Sequence, residues 1–371
     1  MKQNCSSHRG TPIAVATAAS ADLAVTDRCA SAFPADAADI AVNAYLKAFV
    51  RSEGEDSFIK GHQNGGETGF WQQIEQVEGI EDANDRTGGA YKVQVTALLN
   101  GFIKAHGSNW SNNPYNDDIA WAIIAYTRGY QATGDKKFLT IAQSNFDMMF
   151  ARAWNPAQGA LFWTTQNTCY NTCVECPAGI AAFLLSKALN DSSYETRAQN
   201  LYNWNKANLF DATTGAVWDD VKVDSGQINT WSSTYNQGTF VGLANFLGDI
   251  ASAKLAADYT MNTMSQRNAS GFMIMPEYDA DGRDFAGFNA IALRWISKFM
   301  RDHKLEVTYL PWLQANAEAA WNVRRSSDNL SWCRWLEPTP EGVLHSWDTI
   351  SSVVALQVVP PHKITPGADS K

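Results

Sequence analysis

Charge is scarce in this chain. Asp, Glu, Lys and Arg make up 18% of its 371 residues, below the roughly 25% of an average domain. Asn, Gln, Ser and Thr take up much of the surface role instead. There is no basic run and no basic–aromatic stripe, and the balance is acidic, with a net charge of −9 and a pI of about 5.2. Both observations argue against nucleic acid as a partner. Long apolar runs are missing as well. No uninterrupted stretch reaches the ~18 apolar residues of a membrane helix, so no membrane span is expected. Cysteine is sparse, at 6 residues, too few for a disulfide scaffold in a chain of this length. Cys169, Cys173 and Cys176 cluster, but a zinc site would want a fourth ligand and a second paired cluster. Neither a metal nor any other cofactor is expected. One disulfide within the cluster, or packed thiols, accounts for the spacing. Period-two alternation is rare, so little sheet is expected.

The ends of the chain differ from its middle. Residues 1–35 are rich in Ala, Ser and Thr, and Lys2 and Arg9 precede the short apolar segment Pro12-Ile13-Ala14-Val15-Ala16. That is a weak imitation of a secretion signal, and it implies a disordered leader or a degraded export signal. Residues 359–371 make a polar tail without the apolar segment of a lipid-anchor signal. Residues 36–358 are expected to form one domain. Apolar residues are plentiful at 45% of the chain, and there are 14 Trp and 12 Tyr. Most of these aromatics serve a core. A few can line a groove and stack on sugar faces, since Trp and Tyr join an apolar body to a polar tip.

Helical patterns recur in pairs. Candidate helices run over 37–50, 89–105, 117–132 with 136–153, 174–189 with 194–208, 236–247 with 250–267, 284–301 with 308–325, and a last one over 347–358. First helices of the pairs recur at roughly 50 to 60 residues, one helical hairpin plus its loop. They are apolar on most faces, as in Pro177-Ala178-Gly179-Ile180-Ala181-Ala182-Phe183, and a helix apolar all round is buried. Second helices carry the charge, as at Glu195, Arg197, Lys254 and Asp258. Inner and outer helices alternating around a closed ring satisfy both patterns. The longest loops are expected over 51–88, including Gly69-Phe70-Trp71-Gln72-Gln73, and over 154–173.

One dipeptide stands out. Asn113-Pro114-Tyr115-Asn116-Asp117-Asp118 leads into the apolar run Ile119–Tyr126, the pattern of a helix start. Acids in a first turn complement the helix dipole, so a structural role is available. Two carboxylates held together are also the minimal machinery for cleaving a glycosidic bond. A helix N-terminus favours the ionised form of an acid, while a neighbouring carboxylate disfavours it. The pair is therefore expected to titrate in two steps, one acid ionised and its neighbour keeping a proton longer.

Here the sequence resembles a known family. Tyr115-Asn116-Asp117-Asp118-Ile119-Ala120-Trp121 is similar to the signature of glycoside hydrolase family 76, the endo-α-1,6-mannanases and their fungal cell-wall relatives. Further motifs follow in the family's order: Gly159-Ala160-Leu161-Phe162-Trp163 with Gln166-Asn167 and Asn171, then Thr234-Tyr235-Asn236-Gln237-Gly238, then Asp284-Phe285 through Arg294-Trp295, then Ala319-Ala320-Trp321-Asn322 with Arg324. Together they cover about residues 37 to 358. The resemblance implies an all-α fold, an (α/α)6 barrel of alternating inner and outer helices. It also implies retaining hydrolysis of α-1,6-mannosidic bonds without a metal, with Asp117 as nucleophile and Asp118 as general acid/base.

Other residues are expected to touch the polysaccharide. Tyr115 and Asn116 precede the acids. Asn167 and Asn171 can bond sugar hydroxyls or serve loop turns. Tyr235 and Asn236 precede an inner helix, where the alternative is a cap by Asn236. Arg324 is placed for a substrate contact or an ion pair. Trp71, Trp163 and Trp231 are loop aromatics fit for stacking or packing. The partner expected is mannan, the location extracellular or periplasmic, and the working unit a monomer. A transglycosidase using the same site, a non-catalytic mannan-binding barrel and another (α/α)6 enzyme such as an unsaturated uronyl hydrolase are the rival readings. The intact acid pair speaks against the second and the Asn-Asp-Asp signature against the third.

Overall fold

The computed structural model describes residues 33–361, so the leader and the tail lie almost wholly outside the described residues. Near the two ends of the described chain, Phe33 and Val359 are buried in the core. Six outer helices are α1 (Ala37–Phe49), α3 (Lys92–His106), α5 (Lys136–Ala153), α7 (Ser192–Asn208), α9 (Ile250–Tyr259) and α11 (Glu306–Asn322). They alternate with α2 (Phe70–Arg86), α4 (Asn116–Thr133), α6 (Thr172–Leu189), α8 (Thr234–Phe246), α10 (Phe288–Asp302) and α12 (Ser346–Val358). Each even-numbered helix packs on the next, and α12 packs back on α2. This is the closed (α/α)6 barrel, with the even-numbered helices as its inner ring.

The same short turn links three inner helices to their outer partners. A left-handed residue ends the inner helix and an Asp caps the outer one. Gly134 has φ 75 and Asp135 accepts from Lys137 N. Asn190 has φ 54 and Asp191 accepts from Ser193 N. Gly248 has φ 79 and Asp249 accepts from Ser252 N. Gly or Asn tolerates the left-handed stop, and the Asp satisfies an orphan N–H of the next helix. Close packing of the inner ring also needs small residues. A Cβ on Gly238 of α8 would come within 2.5 Å of the Ala292 backbone in α10. One described helix, α6, is long and apolar enough to cross a membrane, and most of it is buried in the ring.

The expected loop over 51–88 is replaced by structure. Strands β1 (Val50–Glu53), β2 (Asp56–His62) and β3 (Gly65–Glu67) form an antiparallel sheet, and the inner helix α2 follows. Trp71 is thus the second residue of a helix. Helix α2 was hidden because its buried face is polar: Gln73, Glu75, Gln76, Glu78, Glu81, Asp82 and Asn84 are all buried. Two arginines on other inner helices meet these acids. From α10, Arg294 donates through Nε to Asp82 at 2.8 Å and through Nη1 to Glu75 at 3.1 Å. From α4, Arg128 reaches Glu78 at 2.8 Å and Asp82 at 2.7 Å. Burial, followed by the charge of Glu78, pushes the Glu75 carboxyl well up. Burial pushes Glu81 up likewise.

Smaller sheets lie between helices. Strands β4 (Trp154–Asn155) and β5 (Ala160–Leu161) pair, as do β6 (Cys169–Asn171), β7 (Asp220–Lys222) and β8 (Ile228–Asn229). The cysteine cluster holds no internal disulfide. Cys173 and Cys176 are buried thiols outside any disulfide, and Cys169 is disulfide-bonded elsewhere.

Candidate active site

The N-termini of the inner helices meet at one end of the ring. Trp71 of α2 lies against Trp347 of α12, with ring centroids 4.8 Å apart, and against Phe288 of α10 at 6.3 Å. Tyr235 of α8 lies 4.2 Å from Phe288 and 6.5 Å from Trp121 of α4. Asp117 and Asp118 occupy the first turn of α4 at this end, each 5% exposed. A helix N-terminus favours negative charge, so the pair sits where carboxylates are stabilised.

Loops around the pair are tied to it. Asn116 N donates to Trp163 O at 2.9 Å, and its side-chain amide donates to Phe162 O at 2.7 Å. Tyr115 bridges to Thr164, and its ring packs against Trp163 at 5.6 Å. Asn113 Nδ2 donates to Asp118 Oδ2 at 3.1 Å. A second pair of adjacent acids, Asp219 and Asp220, is buried within electrostatic reach of Asp117. Asn236 Nδ2 donates to Asp219 Oδ1 at 3.0 Å, and Asn229 Nδ2 donates to Asp220 at 2.9 Å and Asp219 at 3.2 Å. Asp220 lies opposite Asn171 in the β6–β7 register. Burial first, then the charge of Asp220, pushes the Asp219 carboxyl up to about 7, and Asp117 adds to the rise. Burial also raises the phenol of Tyr235, helped by Cys173, Asp219 and Asp117. These effects place Asp117, Asp219, Cys173 and Tyr235 within one electrostatic neighbourhood.

The profile of glycosyl hydrolase family 76 matches residues 41–363. The chain belongs to glycosyl hydrolase family 76. An α-1,6-mannanase of this family from Salegentibacter sp. HEL1_6 shares 24% identity and a TM-score of 0.77, over 87% of this chain and 98% of its own. An inactive variant of that mannanase, with two consecutive aspartates replaced by asparagine, was solved with α-1,6-mannotriose and matches with the same TM-score of 0.77. Dfg5 from Chaetomium thermophilum, solved with glucosamine, shares 16% identity and a TM-score of 0.70 over 87% of this chain and 88% of its own. The meiotically up-regulated gene 191 protein of Schizosaccharomyces pombe is 26% identical over 165 residues, which are 40% of this chain and 37% of that protein. This chain therefore spans well under half of that relative's length.

Within this family-76 fold the sequence-predicted residues separate. Asp117, Asp118, Tyr115, Asn116, Trp163, Asn171, Tyr235 and Asn236 gather around the acid pair through the contacts above. Asn116 is committed to the scaffold, because its amide oxygen accepts from Arg152 at 2.8 Å while its nitrogen holds Phe162. The cap of α8 is Ser233, whose Oγ accepts from Asn236 N at 3.2 Å, and not Asn236. Asn171 Oδ1 and Asn236 Oδ1 are buried with no hydrogen-bond partner among the described residues. Trp231 is half-buried beside Phe285, with centroids 5.9 Å apart. Asn167 is exposed with φ 56, and its N–H closes a turn onto Thr164 O. Arg324 stacks on Trp321 at 3.6 Å and donates to the carbonyl of the same residue. The buried ion pair of that segment belongs to its neighbour Arg325, bound to Asp328. Sequence reasoning missed Asp219 and Asp220; the repeat of an adjacent acid pair after Trp218 was the available signal.

Proposed function

We propose that the chain is a retaining glycoside hydrolase that cleaves α-1,6-mannosidic bonds within mannan. The observation that carries this reading is the buried Asp117–Asp118 pair in the first turn of an inner helix, at the end of the ring lined by Trp71, Trp347, Tyr235 and Phe288. Asp117 attacks the anomeric carbon as the bond to the leaving oxygen breaks, and Asp118 gives that oxygen its proton. Asp118, now ionised, takes a proton from water, whose oxygen attacks the anomeric carbon and releases Asp117. Net retention and a free Asp117 close the cycle. Tyr115, Trp163 and Trp231 offer aromatic faces to sugar rings, and the buried acceptors Asn171 Oδ1 and Asn236 Oδ1 suit sugar hydroxyls. The mannotriose complex of the Salegentibacter enzyme, obtained after replacing two consecutive aspartates, supports the assignment of the pair. The disulfide at Cys169 fits an oxidising location outside the cytoplasm, where mannan is found.

The likeness to Dfg5 with bound glucosamine favours one second reading, in which a sugar hydroxyl replaces water in the second step. Asp117→Asn and Asp118→Asn, assayed on linear α-1,6-mannan, are each expected to lose roughly a thousandfold or more in kcat. Near-wild-type turnover by either variant would sink the assignment. Early products followed by NMR are expected to carry the α-anomer, and added acceptor sugar separates water from sugar as the acceptor.

A further inference from the structure

The loop that delivers the acid pair is gripped by an outer helix. Two side chains of α5, seven residues and two turns apart, face this loop. Asn145 Oδ1 accepts from Trp110 N at 2.9 Å, and its Nδ2 donates to Ser108 O at 2.9 Å. Arg152, in the last turn of α5, uses all three guanidinium nitrogens: Nε to Asn116 Oδ1 at 2.8 Å, Nη1 to Ser111 O at 2.8 Å and Nη2 to Asn113 O at 2.7 Å. All three acceptors are neutral amide oxygens, so these contacts use the planar fork as a template for loop shape. Burial lowers the pKa of this guanidinium, in keeping with a cation spent on holding neutral groups.

The loop so fixed aims one side chain. Asn113 Oδ1 accepts from Tyr115 N at 3.0 Å, which fixes the orientation of the amide. Its Nδ2 then points the other way and donates to Asp118 Oδ2 at 3.1 Å. The side-chain donor that the gripped loop sends to the acid pair thus falls on Asp118.

We infer that Asn113, held in place by Arg152, is a positioning residue for the proton-transfer step of Asp118. The inference rests on the acid/base role proposed for Asp118. A carboxyl must present its proton along the line to the leaving oxygen, and a fixed donor on Oδ2 sets the rotation of the whole carboxyl group. Removing Asn113 takes away one of the contacts that set this rotation, and the fraction aligned for transfer falls. Attack by Asp117 transfers no proton.

Leaving groups separate the two steps. Cleavage of mannan requires a proton on a poor leaving oxygen, while a 2,4-dinitrophenyl α-1,6-mannobioside leaves without one. In Asn113→Ala, kcat on mannan is expected to fall about tenfold to a hundredfold, with KM little changed. The burst rate of dinitrophenolate release is expected to stay within about twofold of wild type, since no proton transfer enters that step. Arg152→Lys keeps the charge and loses the fork, and it is expected to show the same pattern. Equal slowing of both substrates would mean that the whole pair is displaced, and unchanged mannan turnover would mean that Asn113 does nothing; either overturns the inference. Should Arg152→Lys fail to fold by circular dichroism, the half-exposed Asn113 still decides the matter. Asp118→Asn runs in parallel: full mannan turnover by that variant would instead defeat the acid/base role itself.

Discussion

Trp163 shows how one residue can serve substrate and scaffold through different atoms. Its carbonyl accepts the first N–H of the segment that bears the acids, while its indole lies half-buried beside Tyr115. Trp163→Ala leaves the backbone contact and removes only the ring. We expect KM on mannan to rise roughly three- to thirtyfold, equivalent to about 1–2 kcal/mol of stacking, with kcat largely kept. An unchanged KM in steady-state assays would remove the ring from the substrate path. At this scale the sequence was informative where chemistry is local. Two adjacent acids behind Asn113-Pro114 and ahead of an apolar run announce a helix start with carboxylates in its first turn. Asp219 and Asp220 form the same dipeptide without that context. Their tie to the site runs through Asn236 and through the pairing of β7 with β6, which no local pattern encodes. Asn113 was equally silent, because its role depends on Arg152, 39 residues later.

Helices differ in the same way. Hairpins marked Thr133-Gly134-Asp135 or Asn190-Asp191 can be read directly, since the left-handed stop and the Asp cap both leave residue-type signatures. Helix α2 cannot be read from apolar periodicity. Its buried face is carboxylate and amide, and the arginine that satisfies Asp82 stands 212 residues away on α10. Replacing one member of such a cluster leaves buried charge without its partner. Arg294→Leu is expected to cost about 3–5 kcal/mol, measured as the loss of unfolding free energy in urea. A loss below about 1 kcal/mol would show that the acids find equal partners without Arg294.

Across the whole molecule, buried acids make stability depend on pH. Asp348, in the first turn of α12, accepts from Gly282 N at 2.9 Å. Burial pushes its carboxyl from the usual 3.8 up to about 7. The sign follows from proton counting. Well below 3.8, folded and unfolded chains both hold this proton and nothing is lost. As pH rises towards 7 the unfolded chain releases it first, so stability falls, and above 7 the loss levels off. Asp219 acts in the same direction. Asp348→Asn keeps an acceptor for Gly282 and does not titrate. It is expected to gain about 2 kcal/mol or more over wild type at pH 8 and little near pH 3. Equal denaturation midpoints for the two proteins at pH 8 would contradict this.

Ring closure has a consequence for synthesis. Gln357 of α12 donates to Ala38 O, 319 residues earlier, and accepts from Arg86 of α2, 271 residues earlier. A chain made from its N-terminus cannot complete these contacts until almost the whole barrel has left the ribosome. Helix α2 must wait through that interval beside unfinished neighbours, the period when exposed apolar surface leads to aggregation. Its carboxylates give the waiting helix a face that water solvates well. The residues that hide α2 from a hydrophobic pattern are thus the ones that water accommodates best until Arg294 arrives to enclose them.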